Sequence, residues 1–231
     1  MRRLQRPSLH LAPVLTTCLA VVLAAGCATA TRADEPVARR GAGTDPAPPT
    51  PDVEALWAEA LTFNSFLDGV RARRDAWHGN YRDAVVDDEL VERLRALPGR
   101  YRLLAVSLDG CTDSVVNIPG LARLVERVPG LELRIVDAGR GRALMERHRT
   151  PDGRTATPTI VLLDGQFDVV GCWVERPAAL QNWYLENKGT LPIEDVYAGL
   201  IEWYDADRGR TALREIAAMV EAAANGEDAC R

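Results

Sequence analysis

The sequence predicts one α/β domain whose central sheet mixes parallel and antiparallel strands and is flanked by helices, with extra helices at both ends. Two observations predict this fold class. Short apolar runs typical of buried strands alternate with segments of helical period, and strands joined by crossover helices pair in parallel. The dipeptide Asp164-Gly165 separates the last two apolar runs and indicates a tight hairpin, which makes that pair antiparallel.

The elements can be placed in order within residues 52–231, the range that we assign to the domain. Apolar residues recur at helical spacing from Val53 to Trp77, and a second helix fits Asp87–Leu97. The strands that follow are Arg102–Leu108, Leu131–Val136, Thr157–Leu163 and Asp168–Val174, and the helices are Asp113–Val128, Gly141–His148, Pro177–Asn187, Pro192–Tyr204 and Thr211–Ala224. We predict a core at about residues 100–188 and a C-terminal helical extension at 190–225.

Residues 1–27 have the features of a secretory signal: a basic start, an apolar stretch from about Leu11 to Ala25, and then small residues. That stretch is too short for a membrane-spanning helix. Its end, Leu23-Ala24-Ala25-Gly26-Cys27, resembles the lipobox of bacterial lipoproteins, which implies acylation of Cys27. The alternative is an ordinary cleaved signal with a cysteine near its end.

Residues 28–51 predict a disordered tether, because this stretch holds five prolines and no apolar periodicity. A tether between a lipid anchor and a folded domain would let the domain reach away from a membrane. We therefore expect an exported protein in the periplasm or at the cell surface, anchored to the membrane by lipid at Cys27 if the lipobox is used.

The net charge and the spacing of the cysteines limit which ligands and partners the chain is expected to bind. The chain carries 28 basic and 33 acidic residues, a net charge of −5, and without the three leader arginines the balance is −8. No basic run is present, so we predict no nucleic-acid binding. The cysteines and histidines lack the spacing of metal ligands, which predicts no structural zinc site. We expect a monomer without a cofactor.

Three landmarks within this order of elements match the thioredoxin fold. Cys111 follows the first central strand at the start of a helix, and Pro119 comes eight residues later, the spacing of the helix-kinking proline of thioredoxins. Thr157-Pro158 begins the strand after a turn-rich segment, where thioredoxins carry a cis-proline beside the active cysteine. From about residue 53 to residue 222, the chain therefore resembles the thioredoxin-like proteins.

Short strings are similar to one bacterial branch of that family, in which Trp-Cys-Gly-Asp replaces Cys-Gly-Pro-Cys and a Gly-x-Trp…Arg-Pro motif follows the hairpin. They are Asp109–Ser114 (DGCTDS), Gly171–Pro177 (GCWVERP) and Asp207–Thr211 (DRGRT). The resemblance implies a thiol–disulfide site at Cys111, with Pro158 presenting backbone groups to a substrate chain. A cysteine at a helix N-terminus is also placed where the helix dipole stabilises a thiolate.

The sequence departs from the thioredoxin pattern at positions that support dithiol chemistry. Ser114 stands where the resolving cysteine would be, so Cys111 cannot close a local disulfide. Gly110 replaces the tryptophan that precedes the cysteine, and Ala105 lies where thioredoxins bury an acid that assists proton transfer. Turnover in the manner of a dithiol thioredoxin is therefore not expected.

Asp113 and Cys172 are the remaining candidate site residues, and each has two interpretations. Asp113, in the first helical turn, either orients a proton or serves as a capping residue that balances the helix dipole. Cys172 either resolves a mixed disulfide at Cys111 from the other side of the groove or is a small buried side chain in an edge strand. Asp109 and Asp113 also bring negative charge near Cys111, which opposes thiolate formation.

Two functions follow from this sequence. The first is an exported monothiol oxidoreductase or isomerase that acts through Cys111 on protein thiols and disulfides. The alternative is a redox-inactive thioredoxin-fold lipoprotein that binds an envelope protein partner through the former active-site surface.

Overall fold

The computed structural model describes residues 51–227, 229 and 230. Its helices are α1 (Val53–Glu59), α2 (Phe63–Gly69), α3 (Arg74–Asp83), α4 (Asp88–Arg95), α5 (Thr112–Arg127), α6 (Arg142–Arg147), α7 (Ala178–Asn187), α8 (Ile193–Asp207) and α9 (Arg210–Ala224), and its strands are β1 (Leu61–Thr62), β2 (Tyr101–Ser107), β3 (Leu131–Asp137), β4 (Thr159–Leu163), β5 (Val169–Val174) and β6 (Ala229–Cys230). The predicted signal and lipobox at 1–27 and the tether at 28–51, except Pro51, lie outside the described residues. In the described part, no helix is both long and apolar enough to cross a bilayer.

One mixed sheet organises the domain, with strand order β1-β3-β2-β4-β5-β6. The central strands β2 and β3 are parallel and are joined by the crossover helix α5. Strand β4 is antiparallel to β2, and the predicted hairpin pairs β5 antiparallel to β4. The structure therefore confirms the predicted fold class, a thioredoxin-like α/β fold with a mixed central sheet and additional helices at both ends.

Strand β2 supports both layers of the core. Leu103 and Ala105 face the cluster that contains α5 and α9, whereas Leu104 and Val106 face the cluster that contains α1 and α6. All four side chains are fully buried, and burying one leucine stabilises a fold by roughly 1.5–3 kcal/mol. Because only residues 108–110 separate the end of β2 from Cys111, this packing holds the start of α5 in place.

The N-terminal region differs from the single helical segment predicted for Val53–Trp77. Helix α1 ends at Glu59 with Ala60 as its C-cap, and the short edge strand β1 then pairs antiparallel with β3, with Leu61 opposite Ile135. The Thr62 hydroxyl accepts a hydrogen bond from the backbone N–H of Ser65 and starts α2. Apolar residues recur across these breaks because each short helix buries one face, α1 in the layer with α6 and α2 and α3 in the layer with α5. Their periodicity therefore did not reveal that the chain leaves the helix at Ala60 to pair with the sheet.

A left-handed turn at Arg208 and Gly209 folds α9 back from α8. Gly209 has φ 75°, and a Cβ at that position would lie 2.9 Å from the carbonyl oxygen of Val116 in α5. Only glycine combines this φ with so close an approach to a neighbouring backbone. The turn therefore seats the C-terminal helices against the helix that begins beside Cys111.

Gly141→Ala tests how tightly α6 packs on β2. A Cβ at Gly141 would lie 2.5 Å from both γ carbons of the buried Val106. We expect this substitution to lower the free energy of unfolding by about 1–3 kcal/mol, because the fully packed layer cannot yield without shifting backbone. Urea denaturation measures the loss.

Gly69→Ala is the matched control, because a Cβ at Gly69 would meet no atom within 4 Å. Its free energy of unfolding should stay within about 1 kcal/mol of the wild-type value. Equal losses in both variants would contradict the packing argument.

Candidate functional site

Cys111 lies at the junction of β2 and α5, as predicted. It occupies the N-cap position of α5 with extended backbone angles, and its backbone N–H donates to the carbonyl of Leu108 at 3.1 Å. Its side chain is partly exposed, and it is the free cysteine of the described residues. A thiol at this position is open to reagents and next to unpaired backbone N–H groups of the first helical turn.

The segment before β4 meets Cys111 from the opposite side. The Cys111 thiol donates to the carbonyl oxygen of Thr157, with an Sγ–O distance of 3.1 Å. The Thr157–Pro158 peptide bond is cis, which confirms the prediction. The Pro158 carbonyl in turn accepts a hydrogen bond from the backbone N–H of Glu175 at 2.7 Å. The segment that contacts Cys111 is thus itself held by the residues that follow β5.

No second thiol stands in the first turn of α5. Ser114 occupies that position and is fully buried, and its hydroxyl has no hydrogen-bond partner among the described residues. Ala105 is likewise fully buried in β2, so the site lacks the buried acid of a dithiol thioredoxin. The local chemistry available to Cys111 is that of a single thiol.

Asp113 belongs to a buried polar network. Its Oδ1 accepts a hydrogen bond from the Tyr204 hydroxyl of α8 at 2.5 Å. Its Oδ2 lies 3.2 Å from Nη2 of Arg176, and the same nitrogen donates to Oε1 of Glu175 at 2.7 Å. This network, which we call the Asp113–Arg176 network, ties the first turn of α5 to α8 and to the residues after β5.

Burial is the largest cause of the pKa shifts of Asp113 and Tyr204. Desolvation raises the pKa of Asp113, and the positive charge of Arg176 and the hydrogen bond from Tyr204 partly oppose that rise. The pKa of Tyr204 is raised strongly, first by burial and then by the negative charge of Asp113. Asp113 thus lies in the first helical turn, as predicted, but its carboxylate is turned to side-chain donors of other elements.

The network continues to the surface through Glu175. Both carboxylate oxygens of Glu175 accept from Arg154, at 3.0 and 3.2 Å, and Arg154 also donates to Asp152 at 2.8 Å. The Tyr184 ring lies beneath these cations, with the Arg176 guanidinium carbon 4.5 Å from its centroid. A buried positive charge at Arg176 is therefore balanced by two carboxylates and one aromatic face.

Asp109 uses its carboxylate for a contact other than the one with Cys111 that its sequence position suggested. Its carboxylate accepts hydrogen bonds from the backbone N–H groups of Arg71 and Ala72, at 3.0 and 2.9 Å. These bonds lower the pKa of Asp109. Its carbonyl accepts from the indole N–H of Trp77 at 2.8 Å. Asp109 therefore docks the segment before α3 onto the loop between β2 and α5.

The structure corrects the interpretation of Cys172 as a partner of Cys111. Cys172 forms a disulfide with Cys230, and the two residues pair across β5 and β6. Its side chain packs in the cluster on the α1 and α6 side of the sheet, with Val161 and Leu104. Strand alternation explains the error, because the register of β5 sets which face Cys172 occupies and a sequence does not show that register.

A cavity of about 320 Å³ lies beside the first turn of α5, between α3 and α8. Its walls include Arg73, Asn80, Thr112, Ile201 and Tyr204. The Arg73 guanidinium donates to the Thr112 hydroxyl, and the Asn80 amide donates to the Val115 carbonyl at 2.8 Å. The cleft thus begins one residue beyond Cys111.

Sequence reasoning did not find the other members of the network. Arg176 belongs to the Arg-Pro motif, but the motif gave no indication of what this arginine contacts. Tyr204 lies 91 residues from Asp113, and no spacing in the sequence connects them. The one available signal was the presence of charged residues at Glu175 and Arg176 directly after an apolar strand.

The fold and the position of Cys111 define a thioredoxin-like protein with one cysteine at the start of α5. A thioredoxin family model matches residues 60–191, more than half of the chain, and the chain belongs to this family.

Two solved structures are similar to the chain. A protein of unknown function from Pseudomonas aeruginosa is 24% identical, with a TM-score of 0.59 over 75% of this chain and 99% of its own. An HIV epitope scaffold is 25% identical, with a TM-score of 0.56 over 73% of this chain and 96% of its own. No curated protein matches the chain significantly. These neighbours support the fold and assign no activity.

Tyr204→Phe tests the Asp113–Arg176 network. The change keeps the ring and removes the hydroxyl that donates to Asp113 and accepts from Asn117. Loss of a hydrogen bond to a buried carboxylate should lower the free energy of unfolding at pH 7 by about 1.5–3 kcal/mol, measured in urea. The pKa of Asp113 should rise further, because the lost bond favours its charged form.

Tyr197→Phe supplies the control, since Tyr197 is on the same helix and 59% exposed. It should change the free energy of unfolding by no more than about 0.5 kcal/mol. A Tyr204→Phe protein as stable as this control would show that the network does not hold α8 to α5.

Proposed function

We propose that this protein is an exported monothiol thiol–disulfide oxidoreductase or isomerase that acts through Cys111. One observation carries the proposal: a free, partly exposed thiol lies at the N-terminus of α5, against the carbonyl that precedes the cis-proline. Reactive cysteines of this kind need access and a neighbourhood that accommodates negative charge, and a helix N-terminus provides the second.

The reaction is thiol–disulfide exchange. The Cys111 thiolate attacks one sulfur of a substrate disulfide, a new S–S bond forms to Cys111, and the other substrate sulfur leaves as a thiolate. The thiol must first give up its hydrogen bond to the Thr157 carbonyl, because a thiolate has no proton to donate. That carbonyl is then free to accept a hydrogen bond from an extended substrate chain.

Resolution of the mixed disulfide needs a thiol from outside this site. Ser114 has no sulfur, and Cys172 is bonded to Cys230. A third cysteine of the substrate can attack the substrate sulfur of the mixed disulfide, which restores Cys111 and leaves the substrate with a rearranged disulfide. Net reduction instead takes two equivalents of a small-molecule thiol. The first releases the reduced substrate and stays bonded to Cys111, and the second restores Cys111 and leaves as the small-molecule disulfide.

Asp113 acts in this proposal as a positioning residue. Its contacts with Arg176 and Tyr204 hold the first turn of α5 close to the residues that follow β5. Glu175 donates its N–H to Pro158, so the same network also supports the cis-proline segment. The gap between Cys111 and Thr157 is thereby set from both sides.

A second candidate function is a redox-inactive module that binds an envelope protein. An exposed apolar stripe on α8 favours it, since Ile193, Tyr197 and Ile201 follow one another at intervals of four residues and are 52%, 59% and 53% exposed. Ile201 also lines the cavity beside α5. This reading requires only the surface and no chemistry at Cys111.

Exposure of the folded protein to glutathione disulfide distinguishes the two functions. We expect a glutathione adduct at Cys111, located by peptide mass spectrometry, because the thiol is accessible and no neighbouring thiol resolves the adduct. Cys111→Ala should lose the adduct and every redox readout. Modification of Cys111 only after denaturation would reject the oxidoreductase and leave the binding module.

Ser114→Cys provides the complementary gain-of-function control. It places a thiol one helical turn from Cys111, in a buried position where the serine hydroxyl has no partner. Insulin reduction should rise by more than about tenfold over a slow wild type, since an intramolecular thiol reacts at high effective concentration. A wild-type protein already as fast as the variant would contradict the monothiol assignment.

Export and anchoring are part of the same proposal and are supported by the character of residues 1–27. If Cys27 is acylated, Cys27→Ser should move the protein from the membrane fraction to the soluble envelope fraction without unfolding it, because several acyl chains supply the anchoring. Cys18→Ser, in the same leader, is the matched control and should leave the protein with the membrane. Unchanged fractionation of Cys27→Ser would rule out the lipobox.

A further inference from the structure

Three metal-ligating side chains meet on the far side of β5 from the helix that carries Cys111. They are His148, Cys172 and Cys230, and one ligand atom from each lies within 4.8 Å of the others. The Sγ of Cys230 is 3.9 Å from Nδ1 of His148. Separations of 24 and 58 residues in the sequence keep this group from forming any recognisable metal-binding motif.

Each side chain is placed by a different element. His148 ends α6, where its backbone N–H donates to the Leu144 carbonyl at 2.9 Å. Cys172 is buried in β5. Cys230 is exposed in the short strand β6 and is in direct register with Cys172. Two of the three groups are thus held by the packed domain, and the third belongs to a two-residue strand that can adjust.

We propose that reduction of the Cys172–Cys230 disulfide converts this group into a Zn²⁺ site with two thiolates and one imidazole. A dithiol reductant breaks the S–S bond, gives each cysteine a hydrogen and closes its own disulfide. Zn²⁺ then binds both sulfurs and His148, and two protons are released. The oxidised protein cannot form the site, because disulfide sulfurs have no thiolate charge to offer the metal.

The observed geometry is close to that which zinc requires. Zn–S bonds of about 2.3 Å and Zn–N bonds of about 2.0 Å place tetrahedral ligand atoms about 3.5–3.8 Å apart. The present distance of 3.9 Å between His148 and Cys230 needs little change. Breaking the disulfide leaves the Cys230 side chain, on the exposed end of the group, to rotate and open the space between the sulfurs.

Charge and surroundings also suit a divalent cation. Two thiolates neutralise Zn²⁺, so a site that is half-buried carries no net charge to desolvate. Val161, Leu163 and Met145 belong to the apolar cluster around Cys172, and such a shell limits water to the open side. Three protein ligands leave a fourth position there for water, the pattern of zinc sites that keep an open coordination position.

The test uses the full chain, reduced with dithiothreitol and freed of it under anaerobic conditions, and titrated with Zn²⁺ against a chromophoric chelator. We expect one tight site that disappears on reoxidation. Substitution of Co²⁺ should give the intense visible bands of tetrahedral coordination together with sulfur-to-metal charge transfer.

Variants assign the ligands. His148→Gln keeps both thiols and the ability to form the disulfide, and it should weaken Zn²⁺ binding by at least about tenfold. Cys172→Ser should abolish the tight site, and Cys111→Ser should leave it unchanged. His78→Gln, in α3, is the matched histidine control and should also bind as the wild type does.

Reduced wild type that binds Zn²⁺ no more tightly than Cys172→Ser would overturn the proposal. So would equal effects of His148→Gln and His78→Gln, because binding would then come from cysteines elsewhere in the chain. Circular dichroism of the reduced apo protein checks the fold in each titration. His148→Gln leaves the disulfide intact, so this variant still tests the proposal if Cys172→Ser misfolds.

Discussion

The buried ion pair between Asp113 and Arg176 is the contact on which the arrangement of the site depends. It joins α5, the residues after β5 and, through Tyr204, α8. Its chemistry is demanding, since taking a carboxylate and a guanidinium out of water costs several kcal/mol for each ion unless hydrogen bonds compensate. Glu175 and the Tyr184 ring supply part of that compensation, so the pair is held in one geometry.

The side chains that hold the site in place are not the groups that surround the Cys111 thiol. In a dithiol thioredoxin the resolving thiol lies one helical turn from the nucleophile, whereas here a buried serine fills that place. The two carboxylates nearest Cys111 in the sequence bond to other groups: Asp109 accepts from backbone N–H groups of the segment before α3, and Asp113 accepts from Arg176. The cysteine is left with the helix N-terminus and the Thr157 carbonyl as its immediate polar surroundings.

Much of the fold could be predicted because it follows from local periodicity. Short stretches of sequence are enough to predict the apolar runs of β2 and β4, the hairpin at Asp164-Gly165 and the start of α8 after a proline. The break at Ala60 could not be predicted, because a two-residue edge strand has no periodicity of its own and forms only when β3 offers its backbone. Cys111 and the cis peptide at Pro158 were predicted from spacing and family resemblance.

What the sequence by itself determined is the order of elements and the absence of a second thiol at position 114, since both depend on residue identity and near neighbours. Only the tertiary structure decided which distant side chains meet. Strand register turned Cys172 towards Cys230 and His148, and the turn at Gly209 seated α8 so that Tyr204 reached Asp113. Such pairings arise from packing between elements far apart in the chain, and a single sequence carries no direct record of those distances.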